Sequence, residues 1–111
     1  VDDEFLLREF AAEVLRAEGY EVLEAADAKE ALDVLRMRRD IRTLFTDVNM
    51  PGPIDGLELA RRGRQERPEI RDIVTSGRVR PSSEELPEEG VFVPKPYMPE
   101  AIAKTLSQLD G

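Results

Sequence analysis

Short apolar segments alternate along this chain with segments whose apolar residues recur every three or four positions. The first pattern is typical of buried strands, and the second is typical of helices with one apolar face. The predicted strands are 21–25, 41–46, 73–75 and 91–93, and the predicted helices cover about 7–15, 28–35, 56–65 and 99–109. Because the connections are short, this alternation predicts an α/β fold whose parallel sheet is covered by helices on both faces.

Residues at the segment ends support the predicted helices. Gly19 stands where the first helix would stop, Asp27 is placed to cap the second, and Pro99 suits the first turn of the last. In the first helix, the apolar residues at helical spacing are Leu7, Phe10, Ala11, Val14 and Leu15. The expected inner face of the second helix consists of Ala28, Ala31, Leu32 and Leu35. That of the last helix consists of Ile102, Thr105, Leu106 and Leu109.

The stretch from Gly77 to Gly90 departs from this regular pattern. Its two prolines, Pro81 and Pro87, each remove a backbone donor and break a helix that passes through them. We therefore expect only a short helix here, around residues 83–86.

Composition narrows the class of protein further. With 111 residues and no shift in composition, the chain is expected to form one domain over 1–111. The formal net charge of −8 argues against nucleic-acid binding, and we expect the basic run from Arg36 to Arg42 to be a solvated helix end. No apolar run approaches the ~18 residues of a membrane helix, so we expect a cytoplasmic protein. The absence of cysteine and histidine excludes thiolate chemistry and imidazole ligands.

Polar residues stand where the predicted strands end, and ligands of open parallel sheets bind at that edge. The residues expected there are Asp2 and Asp3 before the first helix, Asp47, Thr75 and Ser76, and Lys95. Each has an ordinary explanation by itself, such as a helix cap, a solvated charge or a local backbone partner. Their joint placement at successive strand ends favours a functional site.

Three neighbouring carboxylates repel one another unless a cation joins them or a pKa rises. Oxygen ligands without imidazole or thiolate favour Mg²⁺, which is often held by carboxylates together with a phosphate. The pattern therefore predicts phosphoryl chemistry in which Asp47 attacks phosphorus, while the metal and Lys95 neutralise charge on the phosphoryl oxygens. Ser76 could donate a hydrogen bond to another oxygen, and no general base is needed because a carboxylate is already ionised.

Over nearly its whole length, the chain resembles the receiver domain of bacterial response regulators. The matching segments, in order, are Val1-Asp2-Asp3-Glu4, the run from Leu44 to Gly52 around Asp47, Asp55-Gly56-Leu57-Glu58-Leu59, Ile73-Val74-Thr75-Ser76-Gly77 and Val93-Pro94-Lys95-Pro96-Tyr97. This resemblance implies a flavodoxin-like, doubly wound sheet of five parallel strands in the order 2-1-3-4-5.

The resemblance assigns the acidic residues to a phosphorylation site that binds Mg²⁺. Asp47 aligns with the phosphoacceptor. Asp2 and Asp3 align with the family's acidic pair, Asp3 binding the metal directly and Asp2 mainly through water. Asn49 is expected to contribute its backbone carbonyl to the same ion.

Other roles follow from the same resemblance. Ser76 aligns with the hydroxyl that contacts the phosphoryl group, with Thr75 as second choice, and Lys95 aligns with the phosphate-contacting lysine. The Lys95-Pro96 bond resembles the family's cis peptide. Phe92 aligns with the aromatic switch residue that turns inward with the hydroxyl, the alternative being ordinary packing at the sheet edge.

The sequence departs from the family pattern in three places. Only Val1 stands before the acidic pair, so most of the buried first strand that the family has there is missing from the given sequence. The loop 51–55 is one residue longer than the commonest form, which loops tolerate. The short fourth helix weakens the usual dimer face, so we expect a monomer or weak dimer.

These observations predict a signalling switch rather than an enzyme. The resemblance implies that a sensor histidine kinase or a histidine phosphotransfer protein supplies the phosphoryl group and that a downstream effector, not identified by the sequence, responds. A Mg²⁺-dependent aspartyl-phosphate phosphatase is the first alternative, but it needs an acid-base carboxylate where Asn49 stands. The second alternative is a receiver-like module that binds proteins without phosphorylation.

Overall fold

The structure is a computed structural model, and it describes residues 1–77, 86, 90–95 and 97–110. The described elements are α1 (Phe5–Ala17), α2 (Ala28–Met37), β1 (Thr43–Asp47), α3 (Gly56–Glu66), β2 (Arg71–Ser76), β3 (Val91–Pro94) and α4 (Pro99–Asp110). None of these four helices combines the length and apolar character needed to cross a lipid bilayer. The helix predicted around 83–86 lies outside the described residues except for Leu86.

The described strands form one parallel sheet in the order β1-β2-β3, which corresponds to strands 3-4-5 of the expected order. Successive residues of β2 point to opposite faces of the sheet. Ile73 packs with Leu15 of α1 and Ile102 of α4, whereas Val74 packs with Leu57 of α3. The prediction of a parallel sheet with helices on both faces is therefore confirmed.

The predicted strand at 21–25 runs beside the sheet but joins no ladder among the described residues. Val1 and Asp2 lie between this segment and β1: the Asp2 N–H donates to Ala25 O at 3.1 Å, and the Asp47 N–H donates to Val1 O at 2.9 Å. The prediction that this segment forms a strand was wrong, because a strand has to pair with a neighbouring backbone and this segment joins no described strand.

Aspartates cap the second helix, as the sequence predicts, and the third helix, for which no cap was predicted. The Asp27 carboxylate accepts the N–H of Glu30 at 2.9 Å, and the Asp55 carboxylate accepts the N–H of Glu58 at 2.9 Å. Each bond satisfies a donor that the helix itself leaves unpaired. The predicted inner face of α2 is buried throughout: Ala28, Ala31, Leu32 and Leu35.

Two positions at helical spacing differ from the expected core. Phe10 is 53% exposed on α1, on the side away from Ala11 and Leu15. Thr105 is only half-buried, because its hydroxyl turns back to donate to the Ala101 carbonyl at 2.9 Å. Ile102 and Leu106 are buried as predicted, and the Leu109 side chain lies outside the described residues.

A buried arginine after α3 ties the end of α2 to the start of the sheet. Arg67 is 7% exposed, and its guanidinium donates to backbone carbonyl oxygens 26 to 32 residues earlier in the chain. These acceptors belong to Leu35, Arg38, Arg39 and Ile41. Arg36, Arg39 and Arg42 are exposed as predicted, and Arg38 is half-buried. The backbone of this run is held by the contact with Arg67.

Replacing Arg67 by methionine is expected to lower the free energy of unfolding by roughly 2 kcal/mol, because several carbonyl oxygens lose a charged donor. Methionine retains most of the apolar stem, so the loss of hydrogen bonds dominates. Urea unfolding measures the effect. The control is Arg36→Met, which removes an exposed ion pair with Glu66 and is expected to change stability by less than about 1 kcal/mol. Equal effects of the two substitutions would contradict the assigned role of Arg67.

Candidate functional site

The carboxyl ends of the three strands bring the predicted site residues to one edge of the sheet. Asp47 ends β1 opposite Thr75, Ser76 ends β2 opposite Pro94, and Lys95 follows directly. The Lys95 N–H donates to Ser76 O at 3.0 Å, so the backbone itself holds the lysine beside the end of β2. Parallel pairing thus places residues distant in sequence side by side.

Three carboxylates form an acidic cluster at this edge. Asp2, Asp3 and Asp47 each offer an oxygen, and these oxygens all lie within 4.8 Å of one another. Asp2 and Asp47 are buried, whereas Asp3 is exposed to solvent. Carboxylate oxygens at this spacing, without imidazole or thiolate, suit a hard cation that keeps some of its water. The donor set therefore fits Mg²⁺, with the exposed Asp3 side open to water.

Lys95 lies against two of the three carboxylates. Its ammonium nitrogen is 3.2 Å from the Asp47 carboxylate and 3.5 Å from that of Asp2. Burial by itself lowers the pKa of Lys95, but the charges of Asp2 and Asp47 outweigh it and raise that pKa overall. Lys95 is therefore a fixed positive charge beside Asp47.

The environment of Asp47 disfavours its ionised form. Burial raises the pKa of Asp47, and the neighbouring Asp2 charge acts in the same direction, while Lys95 and a backbone hydrogen bond from Asn49 offset part of the rise. A cation or an electrophile that takes up this negative charge would relieve the unfavourable burial. Asp47 is thus a buried carboxylate with a raised pKa and a lysine ammonium beside it.

Two hydroxyl residues end β2, and their surroundings differ. The Ser76 oxygen accepts a hydrogen bond from the Asn49 side-chain amide at 3.0 Å. Thr75 is buried, and its hydroxyl oxygen has no hydrogen-bond partner among the described residues. The position of Ser76 suits the first choice for the phosphate-contacting hydroxyl, whose role stays a prediction.

Phe92 is half-buried on β3, directly opposite Val74 of β2. Its assignment as the switch residue stays a prediction. Pro96 lies outside the described residues, and with it the predicted cis peptide after Lys95.

Two residues beside the site were given no role from the sequence. Tyr97 packs edge-on against Phe45 with ring centroids 5.5 Å apart, and burial together with the charges of Asp2 and Asp47 raises its pKa to about 12. Gly56 begins α3 so close to Asp47 that a Cβ atom there would lie 1.9 Å from the Asp47 carbonyl oxygen. The available signal was a glycine directly after Asp55, because glycine is a poor helix former and its presence at a helix start calls for another reason.

Comparison with known proteins supports one family. The sequence matches the response regulator receiver domain family over residues 1–107. It is 30% identical to a chemotaxis protein CheY homolog of Campylobacter jejuni, over 100% of this chain and 89% of that protein. It is also 32% identical to the sensor kinase CckA of Brucella abortus, over 98% of this chain.

The chain spans only 12% of the length of that sensor kinase and 17% of a putative Arabidopsis thaliana response regulator that it also matches. Its structure superposes on the receiver domain of the hybrid histidine kinase CckA with a TM-score of 0.83 and 37% identity, covering 96% of this chain and 92% of that one. Vibrio cholerae CheY4 gives a TM-score of 0.83 at 28% identity, with the same coverage. These neighbours confirm the predicted fold class, and the chain belongs to the response regulator receiver domain family.

Proposed function

We propose that this receiver domain accepts a phosphoryl group on Asp47 from a histidine kinase or a histidine phosphotransfer protein. The observation that carries the proposal is the setting of Asp47. This buried carboxylate lies 3.2 Å from the Lys95 ammonium and within 4.8 Å of oxygens from two further carboxylates. Such a site combines a nucleophile, a cation and an oxygen-rich metal site, which are the components that phosphoryl transfer needs.

In the proposed reaction, a carboxylate oxygen of Asp47 attacks phosphorus and forms the new P–O bond. The P–N bond of the donor phosphohistidine breaks, and its electron pair returns to the imidazole nitrogen. Lys95 donates to a phosphoryl oxygen as negative charge gathers there, and Ser76 donates to another. Asp2, Asp3, Asp47 and the Asn49 carbonyl would hold Mg²⁺, which supplies further positive charge for the phosphoryl oxygens when bound.

Phosphorylation would then bias a conformational equilibrium. Drawing the Ser76 hydroxyl toward the phosphoryl group leaves space for Phe92 to turn inward, and an effector that binds this state better would respond. In this proposal the domain is the substrate and switch of its partner rather than an enzyme, and it acts as a monomer or weak dimer. A cytoplasmic location stays a prediction from the sequence.

Intact mass spectrometry after incubation with acetyl phosphate tests this function. The expected result is a gain of one phosphoryl group that requires Mg²⁺ and is lost in Asp47→Asn. Asp33→Asn is the matched control, because Asp33 is exposed on α2, so its label is expected to equal that of the unaltered protein. Labelling that persists in Asp47→Asn would refute the assignment of Asp47. The absence of any label in the unaltered protein would favour a protein-binding module that works without phosphorylation.

A further inference from the structure

The Asp3 carboxylate, a proposed metal ligand, is not held in place by contacts of its own. It is exposed, and among the residues that the structure describes no hydrogen bond or ion pair joins its side chain to another group. The Asp2 carboxylate, by contrast, is buried and accepts the Glu4 N–H at 2.9 Å and lies 3.5 Å from the Lys95 ammonium. The position of the Asp3 carboxylate therefore depends on its backbone.

One arginine of α1 holds the peptide unit between the two aspartates. Arg8 Nη1 donates to the Asp2 carbonyl oxygen at 2.9 Å. That oxygen belongs to the peptide that joins Asp2 to Asp3, and a peptide unit is planar, so fixing the direction of the carbonyl fixes the plane that carries both Cα atoms. The Asp2 N–H is held separately, because it donates to Ala25 O at 3.1 Å. Arg8 thus constrains the backbone from which both carboxylates extend.

Two further contacts orient the Arg8 guanidinium. Its Nε donates to Glu24 Oε1 at 3.3 Å, and its central carbon lies 5.4 Å from the centroid of the Phe5 ring. The side chains of Arg8 and Glu24 are only 18% and 20% exposed, so water screens this ion pair less than one on the open surface. Because a guanidinium presents its donors in a rigid fork, the bond to Glu24 also sets the direction of Nη1.

Arg16, two turns further along α1, makes similar contacts elsewhere. Its Nη2 donates to Val22 O at 2.9 Å and to Glu24 Oε2 at 3.3 Å. Each arginine therefore has one bond to Glu24 and one to a backbone carbonyl oxygen. The two differ in which carbonyl they hold, because that of Arg8 lies between the two aspartates and that of Arg16 does not.

We propose that Arg8 is a positioning residue for the Mg²⁺ site, orienting the carboxylates of Asp2 and Asp3 through the peptide between them, and that Glu24 holds Arg8 in this position. The inference rests on the proposed function, because it takes the acidic cluster to bind Mg²⁺. A positive charge beside the cluster would by Coulomb repulsion weaken cation binding, whereas a positioning residue strengthens it. The two effects of Arg8 have opposite signs, so the direction of change on its removal tells them apart.

Mg²⁺ titrations at constant ionic strength, followed by the NMR signals of the backbone amides, test this role. Arg8→Met is expected to weaken Mg²⁺ binding about fivefold, which corresponds to the loss of one well-placed hydrogen bond. The matched control is Arg16→Met, which also loses a bond to Glu24 and one to a backbone carbonyl and is expected to change Mg²⁺ binding less than about twofold. Unchanged or tighter Mg²⁺ binding in Arg8→Met would overturn the inference.

Glu24→Met tests the same route without removing the group that contacts Asp2. It is expected to weaken Mg²⁺ binding about threefold in the unaltered protein but less than about 1.5-fold in Arg8→Met, because its effect passes through Arg8. Thermal unfolding without metal is expected to show similar losses of stability in Arg8→Met and Arg16→Met, so a role in stability alone predicts equal Mg²⁺ affinities, and that result would contradict the assignment. An unaltered protein that binds no Mg²⁺ would instead reject the proposed function, and this inference with it.

Discussion

Replacing Gly56 by alanine is expected to destabilise the fold by more than about 3 kcal/mol, although alanine is the better helix former. A Cβ atom at this position would lie 1.9 Å from the Asp47 carbonyl oxygen and 2.9 Å from the Val48 Cα atom. Both are backbone atoms, so no side-chain rotation can make room. Either α3 or the end of β1 has to move.

The same close approach is held by a hydrogen bond from the Gly56 N–H to Val48 O at 2.9 Å. A displacement of α3 therefore also disturbs the chain directly after Asp47. We expect Gly56→Ala to weaken beryllium trifluoride binding as well as stability. Urea unfolding followed by circular dichroism measures the stability. Binding of beryllium trifluoride, a mimic of the phosphoryl group, under native conditions shows whether the site around Asp47 is intact.

Gly63 offers a matched control within the same helix. It is also buried, but a Cβ atom there would meet only side-chain atoms, Leu35 Cδ1 at 3.4 Å and Leu44 Cδ2 at 3.8 Å. We expect Gly63→Ala to be neutral or to stabilise by up to about 1 kcal/mol through helix propensity. If Gly56→Ala and Gly63→Ala unfold at the same urea concentration, the close approach at Asp47 does not constrain the fold.

Stability is expected to fall as pH rises through the titration of Asp72, and Asp72→Asn is expected to remove that part of the pH dependence. Asp72 is fully buried on β2, and neither of its carboxylate oxygens has a hydrogen-bond partner among the described residues. Burial raises the pKa of Asp72 from its ordinary value of 3.8 to about 6, and the charge of Arg64 offsets only part of that rise. The folded state therefore favours the protonated carboxyl.

The sign of the effect follows from linkage. Because the pKa of Asp72 is higher in the folded than in the unfolded chain, its stabilising contribution is complete below about pH 3.8 and is lost as pH rises through about 6. A difference of about 2 pKa units corresponds to about 3 kcal/mol. Relative to Asp72→Asn, the unaltered protein should lose about that much stability between acidic and neutral pH.

Urea unfolding from pH 4 to pH 7.5 measures this difference for both proteins. Any constant cost of burying the asparagine amide cancels, because only the change with pH is compared. Asp33→Asn, at an exposed position on α2, is expected to leave the pH profile unchanged. Parallel stability profiles for the unaltered protein and Asp72→Asn would show that Asp72 does not titrate as proposed.

The helices and the sheet edge were predictable from local pattern. The third helix was expected over about 56–65 and is observed at Gly56–Glu66, and the strand expected over 41–46 is observed at Thr43–Asp47. Caps and periodicity act within one or two turns of chain, so a sequence window contains the information that specifies them. Pairing of the 21–25 segment depends on a neighbouring backbone, which a local pattern cannot supply.

The burial of two charged residues, Arg67 and Asp72, also could not be predicted from the sequence. A sequence window identifies Arg67 and Asp72 only as charged residues that would ordinarily be exposed. Arg67 is buried because carbonyl oxygens from 26 to 32 residues earlier surround it, and Asp72 because α3 packs over its face of β2. Burial of this kind depends on the packing of distant segments.

For the site, the sequence by itself determined which residues meet. Strands joined by right-handed helical crossovers end at one edge, so Asp47, Ser76 and Lys95 had to lie near one another once the alternation was recognised. Only the tertiary structure decided the individual atomic contacts. These are the hydrogen bond from the Asn49 amide to the Ser76 hydroxyl oxygen and the close approach of Gly56 to the Asp47 backbone. Order along the chain specifies topology, whereas hydrogen bonds and steric contacts between loops depend on how the finished elements pack.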